Sequence, residues 1–178
     1  MEDFLFEMTS WLRTTRLLDF SFALQDGAVS RMLVGNFWVV PTVQVIHLLA
    51  IGTAFAAMLM QVLRMNGLSG DGLTMRQVAN RFSPWVWWGV AVIALSGVGM
   101  IAAEPVRNLV NAVFWVKMAL LALALGASFY LQRASLSRSL GHAGRWTAGS
   151  GLRFVSIMAI VLWICVMTAG RWIAYAPT

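Results

Sequence analysis

The sequence predicts an all-α integral membrane protein, a four-helix bundle with an amphipathic interfacial helix at its amino terminus. Hydrophobic residues make up 60% of the 178 positions and charged residues only 11%, so a soluble domain of this size would leave much apolar surface uncovered. Several apolar runs reach the roughly 20 residues that a helix needs to cross a ~30 Å hydrocarbon layer. None alternates with the period of two that is typical of barrel strands. The spans are therefore predicted to be helices.

Two regions divide the chain in this prediction. Residues 1–40 form an outer-face interfacial segment, and residues 41–178 form the bundle, with spans at about 41–64, 84–103, 109–131 and 153–175. A helix that lies along the membrane interface carries one apolar stripe. The predicted stripe consists of Phe4, Leu5, Met8, Trp11 and Leu12. A second short helix is predicted from Arg16 to Leu24, and it ends where Gln25, Asp26 and Gly27 follow.

The loops between the spans differ in charge, and this difference predicts the topology. The 64–83 link holds three arginines against one aspartate, and the 132–153 link holds four arginines and no acid. By the positive-inside rule both links belong in the cytoplasm. The first 40 residues hold three arginines against five acids, which suits the outer face. The prediction is a multi-pass protein of the bacterial inner membrane with both termini periplasmic. Its formal charge of +6 reflects this orientation, and no nucleic-acid role is predicted.

Two further patterns concern the ends and faces of the helices. Thr74 and Gln77 have capping-box spacing, which predicts a small cytoplasmic surface helix ahead of the second span. Small residues let membrane helices approach closely. The predicted contact positions are Gly52 with Ala56, Gly97 with Gly99, and Ala122 with Gly126.

Three ionisable residues inside the spans stand out, because such groups are costly in hydrocarbon. His47, Lys117 and Arg171 each fall roughly 6–9 Å from the outer interface at 1.5 Å per residue. The predicted topology places all three in one leaflet. Gln44 shares the helix face of His47, and Trp115 lies near the same level. Met100, Met118 and Met167 also fall in the outer half, where a thioether can reach a metal.

Structural explanations compete with a functional one for each of these residues. Lys117 and Arg171 can extend to the outer headgroups with no other role. His47 can be a core histidine that bonds to a backbone carbonyl or to Gln44. Trp115 fits an aromatic belt at the membrane surface. His142, the other histidine of the chain, lies in a basic loop and is expected to be solvated.

One imidazole with two cations matches two redox chemistries. In the first, His47 ligates the iron of haem b, and Lys117 and Arg171 hold the propionates. In the second, His47 exchanges protons with a quinol whose head group lies among the aromatic residues. The predicted cofactor-binding residues are His47, Lys117, Arg171, Gln44, Met100 and Trp115, with His47 as the metal ligand. A haem held by two intramembrane histidines of this chain is excluded, and the absence of any cofactor is the remaining alternative.

Three stretches of the sequence resemble a family of small bacterial membrane proteins without an assigned function. They are residues 41–49 (PTVQVIHLL), 111–118 (NAVFWVKM) and 170–175 (GRWIAY). The resemblance covers most of the chain from about residue 35 onward. It implies four helices and marks His47, Lys117 and Arg171 as motif positions. The early histidine of the first span is also similar to one in copper-resistance and protoporphyrinogen-oxidase-like four-helix membrane proteins, a likeness at the level of fold alone.

The function predicted from these observations is that of a small integral-membrane redox or electron-transfer subunit. It has an outer-leaflet haem b or quinone site at His47 and works with other membrane protein subunits in the lipid bilayer. The competing prediction is a non-catalytic accessory or scaffold subunit of a larger membrane complex. Transport of a small anion attracted to Lys117 and Arg171 ranks last, because the inner half of the spans has no charged path.

Overall fold

The computed structural model describes residues 2–68, 72–139, 148–173 and 175, and it places all of their side chains except those of Glu2 and residues 136–139. Within these ranges all regular secondary structure is helical, as the sequence predicts. The helices are α1 (Glu2–Arg13), α2 (Arg16–Gln25), α3 (Ala28–Val34), α4 (Val39–Met65), α5 (Met75–Ala103), α6 (Pro105–Leu109), α7 (Ala112–Ser139) and α8 (Ser150–Trp172).

Four of these helices, α4, α5, α7 and α8, are long and apolar enough to cross a membrane. Mean hydropathy in their most apolar windows ranges from 1.9 to 2.2, and between 22% and 33% of each window is buried inside the protein. Most side chains of these windows therefore face outward, as expected where lipid is the solvent. The chain is a multi-pass membrane protein, and its spans match the four predicted runs to within a few residues, with α5 and α7 longer at one end.

Helix α5 begins nine residues before the predicted second span because the capping box starts it. The Thr74 backbone N–H donates to Gln77 Oε1 at 2.8 Å, and the Gln77 N–H donates to Thr74 Oγ1 at 3.3 Å. The capping box is confirmed, but a separate surface helix is wrong, since α5 continues through Pro84. A proline removes one backbone N–H donor, but the turns on either side of it keep their own hydrogen bonds, so the helix can continue.

The amino-terminal segment contains three short helices, of which the sequence predicts the first two. On α1, Thr9 and Leu12 are buried whereas Phe4 and Trp11 are about 63% exposed, so only part of the predicted apolar stripe faces the protein. Helix α3 is additional to the prediction. It is anchored by Ser30, whose hydroxyl donates to the Ala103 carbonyl at 3.2 Å. Such a contact between distant segments is not visible in a local sequence pattern.

The chain divides into two compact units, and each long helix contributes a segment to both. Unit 1 comprises residues 1–49, 92–119 and 166–178, and unit 2 comprises residues 50–91 and 120–165. In unit 1, α2 packs on α6, and the Ala112 N–H donates to Thr9 Oγ1 at 3.3 Å. The predicted division of the chain at residue 40 concerns position relative to the membrane, and it stays a prediction.

Close packing in unit 2 centres on Gly89 of α5. A Cβ at Gly89 would lie 2.8 Å from the Ala54 Cβ and 3.1 Å from the Ala50 carbonyl oxygen, so the two helices approach more closely than any larger residue allows. The buried alanines of α4 are Ala50, Ala54 and Ala57. These residues lie on a different face of α4 from the small pair predicted from the sequence.

The predicted small-residue contacts are wrong for two of the three pairs. A Cβ added at Gly52 or at Gly126 would contact no neighbouring helix within 4 Å. Ala56 and Ala122 are exposed. Small residues recur on several faces of an apolar helix, so their spacing does not identify the face that packs. The third pair does face another helix, because a Cβ at Gly97 would lie 3.7 Å from His47 and one at Gly99 would lie 3.7 Å from Val43.

Candidate functional site

His47 lies on α4 with 7% of its surface exposed, and its hydrogen bond crosses to α5. The ring Nδ1 is 2.7 Å from Ser96 Oγ. The sequence predicts Gln44 or a backbone carbonyl as the bonding partner of a structural histidine. Gln44 is half-buried on α4, but the partners that the structure provides are the Ser96 hydroxyl and the Ile93 backbone. A buried hydroxyl on a second helix therefore fixes the ring orientation.

The hydrogen bonds of Ser96 determine which ring nitrogen carries the proton. The Ser96 hydroxyl donates to the Val92 carbonyl at 2.5 Å, with the Ile93 carbonyl at 3.3 Å. Because backbone carbonyls can accept this hydroxyl proton, we assign His47 Nδ1–H as the donor and Ser96 Oγ as the acceptor. In the neutral ring the lone pair is then on Nε2. No described residue forms a hydrogen bond with Nε2, which is the nitrogen free to act as a ligand or a base.

Lys117 of α7 is half-buried and belongs to the same compact unit as His47. Its side chain runs beside Gly170 of α8. A Cβ at Gly170 would lie 3.6 Å from Lys117 Cε and 3.8 Å from Nζ. The glycine therefore makes room for the lysine stem between two helices. Lys117 and His47 belong to the same compact unit, and a ligand shared by the two side chains stays a prediction.

Arg171 is exposed near the end of α8 and contacts Tyr175. Its Nη2 donates to the Tyr175 hydroxyl at 2.7 Å, and its guanidinium carbon lies 5.0 Å from the centre of the tyrosine ring. Arg171 is the next residue after Gly170, and the Lys117 side chain packs beside that glycine. Arg171 thus belongs to the same region, but it is directed to an exposed aromatic side chain.

The other predicted site residues form local contacts. Trp115 is 40% exposed, and its Nε1 donates to the Leu109 carbonyl at 3.0 Å. Met100 is half-buried, and its carbonyl accepts from Asn108 Nδ2 at 3.2 Å. All six predicted residues, including Gln44, belong to unit 1. The six residues chosen from the sequence therefore lie in one compact unit, although the chain segments that carry them are far apart in sequence.

A family of unknown function, DUF6644, matches residues 27–176. The chain belongs to this family. No curated protein and no solved structure matches the chain. The DUF6644 match contains all three stretches that carry the sequence resemblance, and it agrees with a family without an assigned function. It also contains His47, Ser96, Lys117 and Arg171, whereas α1 and α2 precede it.

The described part of this DUF6644 member offers no metal-binding cluster as a second candidate site. Among the residues that the structure describes, no group of three His, Cys, Asp or Glu side chains could hold a metal ion. Cys165 is exposed on α8, and Met118 is 39% exposed on α7. The prediction for His142 concerns a residue outside the described ranges.

Ser96 and Asn111 are candidate residues that the sequence reasoning missed. Ser96 is a hydroxyl within a long apolar run, a signal that it shares with Ser128 and Ser156. Asn111 is 1% exposed at the start of α7. Its Oδ1 accepts from the Val113 N–H at 2.9 Å, but its buried Nδ2 has no hydrogen-bond partner among the described residues. The amide caps the helix, so its position is determined by α7.

A small cavity lies in unit 2 and contains none of the predicted site residues. Its volume of about 20 Å³ is enough for one water molecule. The polar side chains in its wall are Gln61, Trp87, Ser128, Gln132 and Ser135. The cavity is too small for a quinone or a haem, so it is a separate feature from the His47 site.

Proposed function

We propose that this protein is a small integral-membrane redox subunit that binds the head group of a quinone at His47. The observation that carries the proposal is the bond between His47 Nδ1 and Ser96 Oγ at 2.7 Å. It holds the ring in one orientation and leaves the Nε2 lone pair free of any described partner. A fixed imidazole with one free nitrogen suits general acid–base chemistry.

Lys117 supplies the second polar group of the proposed site. A quinone carries two carbonyl oxygens, and an ammonium group can donate a charge-assisted hydrogen bond to one of them. Oxidation of a quinol releases two electrons and two protons. His47 Nε2 accepts one proton, the second leaves to solvent, and the electrons pass to a haem or iron–sulfur protein in a partner subunit. The reverse transfers reduce the quinone.

The distribution of charge supports an orientation for this site. By sequence, unit 2 holds seven arginines against Asp71, whereas unit 1 holds six cations against six acids. The entire net charge of +6 is thus carried by unit 2. Because basic loops stay in the cytoplasm, this supports an inner-membrane protein with His47 in the outer leaflet and both termini periplasmic. Quinones dissolve in hydrocarbon and can reach such a site through the bilayer.

Haem b is a second candidate ligand, favoured by the same Nδ1 hydrogen bond. Histidines that bind metals commonly donate the other ring N–H to a second group, which fixes the tautomer. His47 Nε2 would be the single axial nitrogen from this chain, and Lys117 would be placed to pair with a propionate. The quinone ranks first because the described residues offer no second imidazole.

The competing proposal is a non-catalytic accessory or scaffold subunit. It is favoured by large aromatic side chains that no part of the described chain covers, such as Phe37 and Trp38 at 77% and 75% exposure. Trp85 and Trp88 on α5 are also exposed. Packing of such faces on other membrane subunits needs neither a cofactor nor a reaction at His47.

Equilibrium binding of a short-chain quinone to the purified protein distinguishes these proposals. Wild-type protein and His142→Ala are expected to bind it with equal affinity, and His47→Ala is expected to lose at least about tenfold, the effect of one charge-assisted or buried hydrogen bond. A Soret band that disappears only in His47→Ala favours the haem alternative. Absence of both a Soret band and quinone binding in wild-type protein supports the scaffold.

A further inference from the structure

We propose that an anionic phospholipid binds to unit 2 at a cluster formed by Trp87 of α5 and by Phe129, Gln132 and Arg133 of α7. We call these four residues the Trp87–Arg133 cluster. It is independent of the His47 site, since all of its members belong to the other unit. The ligand group is a phosphate ester at the membrane surface, with the acyl chains in the hydrocarbon.

The four side chains are connected by specific contacts. Trp87 Nε1 donates to Gln132 Oε1 at 2.8 Å. The Trp87 and Phe129 rings meet edge to face, with centroids 6.3 Å apart. The guanidinium carbon of Arg133 lies 5.4 Å from the centre of the Phe129 ring. This arrangement places the arginine beside an aromatic surface.

The location of the cluster matches the level of lipid phosphates. The sequence predicts that the apolar run of α7 ends at about residue 131, which places Arg133 at the end of the hydrocarbon region. Phe129, one turn further into the span, is 48% exposed, and Trp87 is 41% exposed. Aromatic side chains of this kind are typical of the membrane interface. A lipid can therefore contact the rings with its acyl chains while its phosphate meets Arg133.

Nothing anionic in the described part of unit 2 can pair with Arg133. Its described residues include no aspartate or glutamate, and its sequence holds only Asp71, outside the described ranges. A guanidinium offers planar, paired donors that match a phosphate. The Gln132 amide adds N–H donors, because its oxygen is the atom that Trp87 engages. Charge complementarity thus favours an anionic headgroup over a zwitterionic one.

Arg76 provides a matched control. It is exposed at the second position of α5 in the same unit, and no described aromatic ring stacks on its guanidinium. Arg76→Gln and Arg133→Gln remove the same charge. Diffuse attraction to an anionic surface, worth about 1 kcal/mol per arginine, predicts equal effects of the two variants. A built site predicts that only Arg133→Gln has a large effect.

The experiment is native mass spectrometry of the purified full-length protein with phosphatidylglycerol or phosphatidylcholine added. Wild-type protein and Arg76→Gln are expected to retain phosphatidylglycerol in preference to phosphatidylcholine. In Arg133→Gln the ratio of retained phosphatidylglycerol to phosphatidylcholine is expected to fall at least about tenfold. Phe129→Leu, which keeps every charge, is expected to weaken retention as well. Unchanged helicity by circular dichroism verifies that the variants fold. Equal retention by Arg76→Gln and Arg133→Gln, or no preference in the wild type, overturns the proposal.

Discussion

Ser96 Oγ of α5 lies 2.7 Å from His47 Nδ1 of α4, and the Ser96 hydroxyl also donates to the Val92 carbonyl. This pair connects two membrane helices through a single buried polar contact. In the tautomer that we assign, Nε2, rather than Nδ1, is the nitrogen available for chemistry. The Ser96 hydroxyl acts through His47, so it is a positioning residue for the proposed quinone.

Replacement of Ser96 tests this positioning role. Ser96→Ala leaves a buried Nδ1–H without its acceptor, which costs roughly 1–3 kcal/mol in the free energy of unfolding. Because the ring is then free to turn, quinone affinity is expected to fall about tenfold, as for other residues that orient a ligating histidine. Ser96→Thr keeps the hydroxyl and is expected to restore most of the affinity. Wild-type affinity in Ser96→Ala would contradict the role assigned to this residue.

The two cations of the predicted site are expected to differ in importance. Lys117→Met removes a half-buried ammonium group of the proposed site and should weaken quinone binding about tenfold, since charge-assisted hydrogen bonds contribute roughly 1.5–3 kcal/mol. Arg171 is exposed and engages Tyr175, so Arg171→Met should change affinity less than fivefold. Titration of both variants with the same quinone measures the difference. Equal losses would indicate that Arg171 also contacts the ligand.

Glycine substitutions test the packing of unit 2. In Gly89→Ala the new methyl group would lie 2.8 Å from the Ala54 Cβ, and overpacking of this kind costs roughly 1–3 kcal/mol. Gly126→Ala adds the same group where nothing lies within 4 Å. Thermal unfolding in detergent should therefore show a lower Tm for Gly89→Ala and no decrease for Gly126→Ala. A decrease of the same size in both variants would place Gly126 in a contact that the single chain lacks.

Membrane topology is predicted by the arginines of unit 2. Reporter fusions after residue 70 and after residue 145 are expected to be cytoplasmic, and fusions at both ends are expected to be periplasmic. Alkaline phosphatase and green fluorescent protein fusions report the two sides independently. A periplasmic location for either link would reverse the leaflet assigned to His47.

The sequence predicts the helices well because apolar runs of membrane length are a local property. It also predicts the start of α5, since the capping box of Thr74 and Gln77 is complete within four residues. It does not predict that α5 passes through Pro84. Whether a proline ends a helix depends on the packing of the turns around it.

The candidate site is predicted in part for a similar reason. His47 and Lys117 are visible in the sequence because ionisable residues are rare in hydrocarbon. Ser96 is not singled out, because its importance depends on the rotation of α5 against α4. The same rotation determines that Gly89 packs while Gly52 does not. Residue type identifies candidates, and only the contacts between helices assign them partners.

The reduced-minus-oxidised difference spectrum of the purified protein, with quinone analysis of its organic extract, tests the central claim most directly. The account predicts a dithionite-sensitive ultraviolet change from a bound quinone in wild-type protein, and loss of that change in His47→Ala but not in His142→Ala. A flat difference spectrum and a quinone-free extract, from protein purified gently out of quinone-replete membranes, would contradict a redox role for His47.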